Sequence, residues 1–224
     1  MSDNQTAHNA GEYDELIGRT IPNYEAFHAE TLDLVRTAKP DAKAWLDTGC
    51  GTGTLVERAS VLFPEARFVL ADPSVDMLAI AQVKLAAQPG LELVNLETRE
   101  LAFPENRFDV ITAIQCHHYL DREQRRLAVD QCFRMLKTGG LFVLFENIRP
   151  LTLAGTEIGL KRWAAFQAAC GKPRDEADAH MTRFDREYFP ITVEEHLALL
   201  RAAGFSAVEL LWVSQMQAGF YAFK

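Results

Sequence analysis

The segment WLDTGCGTGTL, residues 45–55, constrains the fold more than any other part of the chain. An apolar run ending in Asp47 feeds Gly49, Gly51 and Gly53, and a helix is predicted from about Thr54–Leu62. Glycines here let the backbone turn tightly and let a ligand approach without a Cβ in the way. The loop amides and the helix N-terminus then offer donors to a polar or anionic group. A dinucleotide site uses G-x-G-x-x-G, whose third glycine brings the helix close to a pyrophosphate. Here the run is G-x-G-x-G, and Thr54 stands where that glycine would be, which favours a ligand without a pyrophosphate.

Beyond the turn, strands and helices alternate. Strands are predicted over residues 44–47, 67–71, 91–95, 108–114 and 141–146, and FDVITAI (Phe108–Ile114) is apolar almost throughout, as in a strand covered on both faces. Helices are predicted over 74–87, with Ser74 as N-cap, and over 122–136, ended by Gly139 in a left-handed C-cap position. This alternation indicates an α/β fold with a doubly wound, mostly parallel sheet. An amphipathic helix over 23–37 precedes it, with Phe27, Leu32, Leu34 and Val35 directed inward, whereas residues 1–12 read as frayed. Residues 149–190 break the rhythm with a helical part, 159–170, and a charged run, KPRDEADAHMTRFDREY, which reads as a cap. A helix over 192–203 carries a capping box, Thr192 with Glu195, and ends at Gly204. Strands over 206–213 and 218–223 complete the sheet. Four parts follow: an N-terminal helical segment covering the site (1–40), a cofactor-binding α/β core (41–148), a cap insertion (149–191) and a C-terminal helix with the last two strands (192–224).

The second block, LADPSVDML, places Asp72 at the end of the second strand, where a carboxylate can accept both hydroxyls of a ribose. Asp72 could instead cap the following helix, but Ser74 already fills that role.

The chain has 224 residues, a length suited to one domain with an appended segment. A net charge of −8 disfavours broad contact with a nucleic-acid backbone. Arg122, Arg125 and Arg126, then Lys161 and Arg162, read as solvated helix faces. Cys50, Cys116, Cys132 and Cys170 are scattered, form no CxxC pair, and read as reduced, mostly buried thiols. The polar N-terminus lacks an apolar export segment, and no run approaches the roughly 20 apolar residues of a membrane span. A cytoplasmic protein with no membrane partner is therefore expected. No metal is expected either, since Glu146 and Asn147 have no second carboxylate near them in sequence.

Residues 44–147 resemble the class I S-adenosylmethionine-dependent methyltransferases in the blocks LDTGCGTG, LADPSVDML, LETRELAF, FDVITAIQCHHYL and FRMLKTGGLFVLFE, in that order. The resemblance implies a seven-stranded, Rossmann-like sheet with a helical cap. It implies S-adenosyl-L-methionine as cofactor, S-adenosyl-L-homocysteine as product, and methyl transfer to a small-molecule acceptor through O, N, S or C. It places Asp47, Gly49 and Gly51 at the methionine end, Asp72 at the ribose, and Pro73 and Met77 near the adenine. Glu97 stands where the family usually has an aspartate at the adenine amine, followed by Thr98, and Cys50 and Tyr24 join the cofactor-binding set. Gln115 and His117 should face the methionine moiety and the acceptor, with His117 the candidate catalytic base and His118 the other histidine of the pair. Tyr13, Tyr24, Trp163, Phe166 and Tyr188 should close over an aromatic or lipid-like acceptor, unless they serve as core or dimer interface.

Outside the core, RTIPNY (19–24), VEEHLALLRAAGF (193–205) and the terminal GFYAFK are similar to the bacterial carboxy-S-adenosylmethionine synthases. Those enzymes act in tRNA wobble-uridine modification, and the similarity implies a homodimer. It also raises the alternative that this chain makes or uses a carboxylated cofactor. The arginine that holds the extra carboxylate in that family is replaced here by Leu199, and Arg201 lies two residues on, on another side of the helix. That replacement favours plain methyl transfer.

Overall fold

In the computed structural model, which describes residues 5–224, the apolar runs become β1 (Ala44–Thr48), β2 (Arg67–Ala71), β3 (Glu92–Val94), β4 (Phe108–Ile114), β5 (Leu136–Asn147), β6 (Ala207–Ser214) and β7 (Gln217–Phe223). They form one sheet in the order β3-β2-β1-β4-β5-β7-β6. The first five strands pair in parallel, while β7 runs antiparallel to both β5 and β6. Strand order reverses between β1 and β4, and ligands of open sheets bind in the crevice outside such a switch point.

Side chains alternate across the strands and create two cores. On one face Trp45, Phe68, Val110, Val143 and Phe145 pack against α2 (Tyr24–Ala38), α3 (Thr54–Leu62) and Trp163 of α6 (Leu153–Ala169). There Phe27 stacks on Phe145 with ring centroids 5.0 Å apart. On the other face Leu46, Val69, Ile111 and Phe142 pack against Val129, Cys132 and Met135 of α5 (Arg122–Met135) and Leu200 of α8 (Val193–Ala202). The remaining α-helices among the described residues are α1 (Tyr13–Thr20), α4 (Val75–Lys84) and α7 (Arg174–Met181).

Several local expectations need correction. Gly139 has the left-handed backbone (φ +71) but caps no helix. α5 stops at Met135 because Leu136 is already extended, fully buried and paired with Phe108, so burial in the sheet overrides a longer helix. α4 ends at Lys84 rather than residue 87, since Leu85 turns into the core. The N-terminal segment is ordered from residue 5 on, and residues 1–4 of the stretch read as frayed lie outside the described residues. His8 Nε2 lies 2.7 Å from Thr20 Oγ1, and Arg183 donates to the Gln5 carbonyl at 2.7 Å. Leu34 is only half-buried, unlike Phe27, Leu32 and Val35. Of the four free cysteines Cys132 alone is buried, the others being half-buried. Among the described residues no helix is long and apolar enough to cross a membrane.

Candidate active site

The glycine-rich turn is shaped by close approach. Gly49 (φ +63) lies so near the chain leaving β4 that a Cβ there would stand 2.3 Å from Cys116 Cβ. Gly51 (φ +53) faces open space, with nothing within 4 Å of a notional Cβ. Asp72 fixes the loop: its Oδ2 accepts the Gly51 N–H at 2.8 Å and its Oδ1 accepts the Ser74 N–H at 2.9 Å. A carboxylate oxygen can accept more than one hydrogen bond, the property a ribose diol would use.

Three adjoining cavities open around this turn. A cleft of about 280 Å³ is lined by Gly49, Gly51, Asp72 and Gln115, with Pro73 and Met77 on one side and Glu97, Thr98 and His117 on another. A pocket of about 30 Å³ holds Asp47, Tyr24, Cys50 and His28 around the same glycines. A second space of about 30 Å³, the chamber, is bounded by Gln115, His118, Asn147, Trp163, Tyr188 and Arg183. Tyr13 lines all three. Every residue expected to bind the cofactor thus borders the cleft or the Asp47 pocket. Of the aromatic residues expected to close over the acceptor, Tyr13, Trp163 and Tyr188 line the chamber, Tyr24 lines the Asp47 pocket and Phe166 lines none of the three.

Asp47 is 2 % exposed and accepts the Thr112 hydroxyl at 2.6 Å. Burial, with the nearby charge of Asp72, pushes its pKa up to about 7, so the pocket is ready for a cationic ligand group that would restore the carboxylate. Burial likewise holds the His28 ring neutral down to about 4.

The loop after β4 carries the His-His pair. Gln115 has φ +58, a strained backbone for a non-glycine residue, and its N–H donates to the Phe145 carbonyl at 2.7 Å. His117 Nε2 lies 3.2 Å from Thr98 Oγ1 on the cleft wall, and burial lowers its pKa to about 4. His118 Nδ1 lies 2.7 Å from Glu146 Oε2, and its Nε2 lies 3.1 Å from Asn147 Nδ2. Glu146, fully buried, also accepts the N–H groups of His117 (3.0 Å) and His118 (2.8 Å). Burial alone would raise its pKa, but the hydrogen bond from His118 and the neighbouring histidines bring it down to about 2.

Arg125 corrects the reading of its helix as a solvated face. It is 3 % exposed and donates to the carbonyls of His117 (3.1 Å), Leu120 (3.0 Å) and Phe189 (2.6 Å). With the Phe189 N–H donated to the His118 carbonyl at 2.7 Å, it stitches the cap segment to the histidine loop. Nothing in the local pattern of α5 marks Arg125 apart from exposed Arg122 and Arg126, because its acceptors belong to loops elsewhere.

Residues 46–140 match the methyltransferase domain family. Over 112 residues (48% of this chain, 43% of the relative) the chain is 33% identical to demethylmenaquinone methyltransferase of Symbiobacterium thermophilum. These matches support a class I S-adenosylmethionine-dependent methyltransferase. Over 216 residues (95% of this chain, 85% of the relative) this methyltransferase is 26% identical to carboxy-S-adenosyl-L-methionine synthase of Trichodesmium erythraeum. Its fold is shared with a methyltransferase of Thermotoga maritima at a TM-score of 0.63 and 17% identity, covering 96% and 95% of the two chains. The residues present fit its cofactor, S-adenosyl-L-methionine: an open cradle at Gly51, a buried acid at Asp47 and a loop-end carboxylate at Asp72.

The methyltransferase's α8 packs on the sheet face of the second core, with Leu199 against that core and Arg201 exposed. Neither residue lines the three cavities, so position 199 does not by itself separate the two cofactor chemistries within one chain.

Proposed function

We propose that the enzyme transfers the cofactor's methyl group to a small-molecule acceptor held in the chamber bounded by α1, α6 and the segment after α7. The supporting observation is the chamber itself: it shares Thr6, Tyr13, Gln115 and Tyr119 with the cleft and is walled by the cap. A space of that size has no room for a polymer segment, so the bulk of an acceptor would lie toward the cleft. In this reading Asp47 holds the amino group of the methionine moiety, with Gly49, Cys50, Gly51 and Tyr24 around it. Asp72 takes the ribose, Pro73, Met77, Glu97 and Thr98 border the adenine, and Gln115 and His117 stand at the reacting end. The bound cofactor supplies an electrophilic methyl on a sulfonium, so much of the rate comes from aligning the acceptor atom with the methyl carbon.

The similarity to carboxy-S-adenosyl-L-methionine synthase along nearly the whole chain favours a second reading, in which the enzyme makes or uses a carboxylated cofactor. Calorimetric titration with S-adenosylmethionine, S-adenosylhomocysteine, the carboxylated analogue and NAD separates the two. Tight binding of the first two with weaker binding of the third supports methyl transfer, and preference for the third overturns it. A homodimer belongs to the same proposal and is read directly by light scattering.

A further inference from the structure

The Asp47 pocket contains a histidine whose hydrogen bonding the fold leaves incomplete. His28 is 2 % exposed and lines this pocket together with Tyr24, one turn earlier on the same side of α2. Their rings meet edge to face with centroids 5.0 Å apart. Nδ1 of His28 is buried without a hydrogen-bond partner. Buried polar groups are almost always paired, so an unpaired one on a pocket wall points to a ligand. Tyr24 has capacity to spare as well. It shares a hydrogen bond with Tyr13, and a single bond between two hydroxyls spends only one of their two protons.

The charge around the pocket selects the kind of donor it can offer. Among the described residues no lysine or arginine lines it. The cations closest in effect to His28 are Arg58 of α3 and Lys84 of α4, and each is already paired, with Glu25 at 2.6 Å and with Asp14 at 2.7 Å. Burial keeps the His28 ring itself neutral near pH 7. An anionic group entering here is therefore met by neutral N–H and O–H donors.

Size selects the group. The pocket of about 30 Å³ has room for about two water-sized groups. The head of an α-amino acid presents two such groups side by side, an ammonium nitrogen and a carboxylate oxygen. The rest of the ligand continues into the cleft, which shares Tyr13, Gly49, Gly51 and Ile114 with the pocket.

We propose that His28 is a cofactor-binding residue that donates its imidazole N–H to the α-carboxylate of the methionine moiety, with the Tyr24 hydroxyl as the second donor. The inference rests on the placement of that moiety's ammonium at Asp47 proposed above. It makes the carboxylate a recognised group, and His28 a determinant of the preference for a complete amino-acid head. A histidine that only packs against Tyr24 confers no such preference.

Calorimetry on the full chain tests this by comparing S-adenosylhomocysteine with its decarboxylated analogue, which keeps the amino group and lacks the carboxylate. Wild type should prefer the complete ligand by about tenfold or more, the scale of hydrogen bonds to a charged group. His28→Leu should weaken S-adenosylhomocysteine about tenfold and leave the analogue within about twofold, so that the preference collapses. His28→Gln, which keeps a side-chain N–H, should retain most of it. Equal losses for the two ligands in His28→Leu would mark a packing role and overturn the proposal. Unchanged affinity in that variant, or a wild type without preference, would overturn it too. If His28→Leu does not fold, isotope-labelled wild type decides: the His28 ring resonances should move with S-adenosylhomocysteine and stay in place with the analogue, and equal movement refutes the contact. An Asp47→Asn variant that binds S-adenosylhomocysteine as well as wild type would remove the placement beneath the inference instead.

Discussion

Asp47 should make cofactor affinity depend on pH in a way few binding sites do. In the unliganded protein its burial holds the carboxyl half-protonated near pH 7. Pairing with the cofactor's ammonium requires the ionised form, so binding expels the proton. The folded, unliganded pKa is raised, and affinity must therefore rise with pH up to about 7 and level off above it. At pH 6 about nine-tenths of the sites are protonated, so affinity falls about tenfold below its plateau, and at pH 5 about a hundredfold, or ~2.7 kcal/mol. Above about pH 8 affinity falls again as the cofactor's own α-amino group deprotonates. The other groups in the pocket titrate elsewhere: His28 near 4, and Tyr13 and Tyr24 far above. Calorimetry in buffers of different ionisation enthalpy measures the proton directly, with about 0.9 released per site at pH 6 and about 0.5 at pH 7. Asp47→Asn should abolish the acid limb and weaken binding by about 1.5–3 kcal/mol at pH 7.5, the scale of a hydrogen bond to a charged partner. Wild-type affinity that is flat from pH 6 to 7.5, with no proton release, would refute the assignment of Asp47 to the ammonium.

Three further outcomes are expected. Asp72→Ala should weaken S-adenosylmethionine by about 1–3 kcal/mol by calorimetry and lower the melting temperature as well, since the Gly51 and Ser74 N–H groups lose their acceptor; unchanged affinity would sink the ribose assignment. His196 is buried against Phe220 with both ring nitrogens unpartnered, and burial depresses its pKa to about 3. Its stability contribution is full above the unfolded pKa of about 6.5 and is lost as pH falls toward 3, by about 1.4 kcal/mol per unit, so His196→Phe should flatten the acid side of a urea-midpoint profile; parallel profiles would contradict this. Lys84 ties Asp14 of α1 to the glycine-rich turn, with its Nζ 2.7 Å from Asp14 Oδ2 and 2.9 Å from Thr54 Oγ1. Because the pair is partly exposed, Lys84→Ala should cost under about 1 kcal/mol of stability. It should nonetheless speed both association and dissociation of S-adenosylhomocysteine in stopped flow if α1 lifts to admit it, and unaltered rates would show that it does not.

The glycine-rich turn and the helix cap that follows β2 were largely legible in the residues. Gly49 and Gly51 adopt the positive φ that the G-x-G-x-G run anticipates, and Ser74 caps α4 through the Met77 N–H at 3.1 Å. These features depend on neighbours a few residues apart, so local chemistry suffices to read them. α1 was missed although Tyr13, Leu16, Ile17 and Thr20, at i, i+3, i+4 and i+7, form its inward side and carry a helical period over eight residues. The end of α5 was misread because Gly139 has a cap's dihedral angle yet lies within a strand whose partners sit far off in sequence.

Alternation of apolar runs and glycine spacing, both local properties, determined the doubly wound sheet, the turn at its switch point and Asp72 beside it. The chamber was decided by tertiary structure alone. His118 meets Glu146 across 28 residues, Arg125 reaches Phe189 across 64, and the Trp163 indole donates to Thr20 across 143. Which polar atoms such contacts satisfy, and which they leave facing an enclosed space, depends on packing three segments that share no local pattern. Strand periodicity names the scaffold because backbone geometry repeats, whereas a buried hydrogen-bond partner is set by where the folded chain happens to pass.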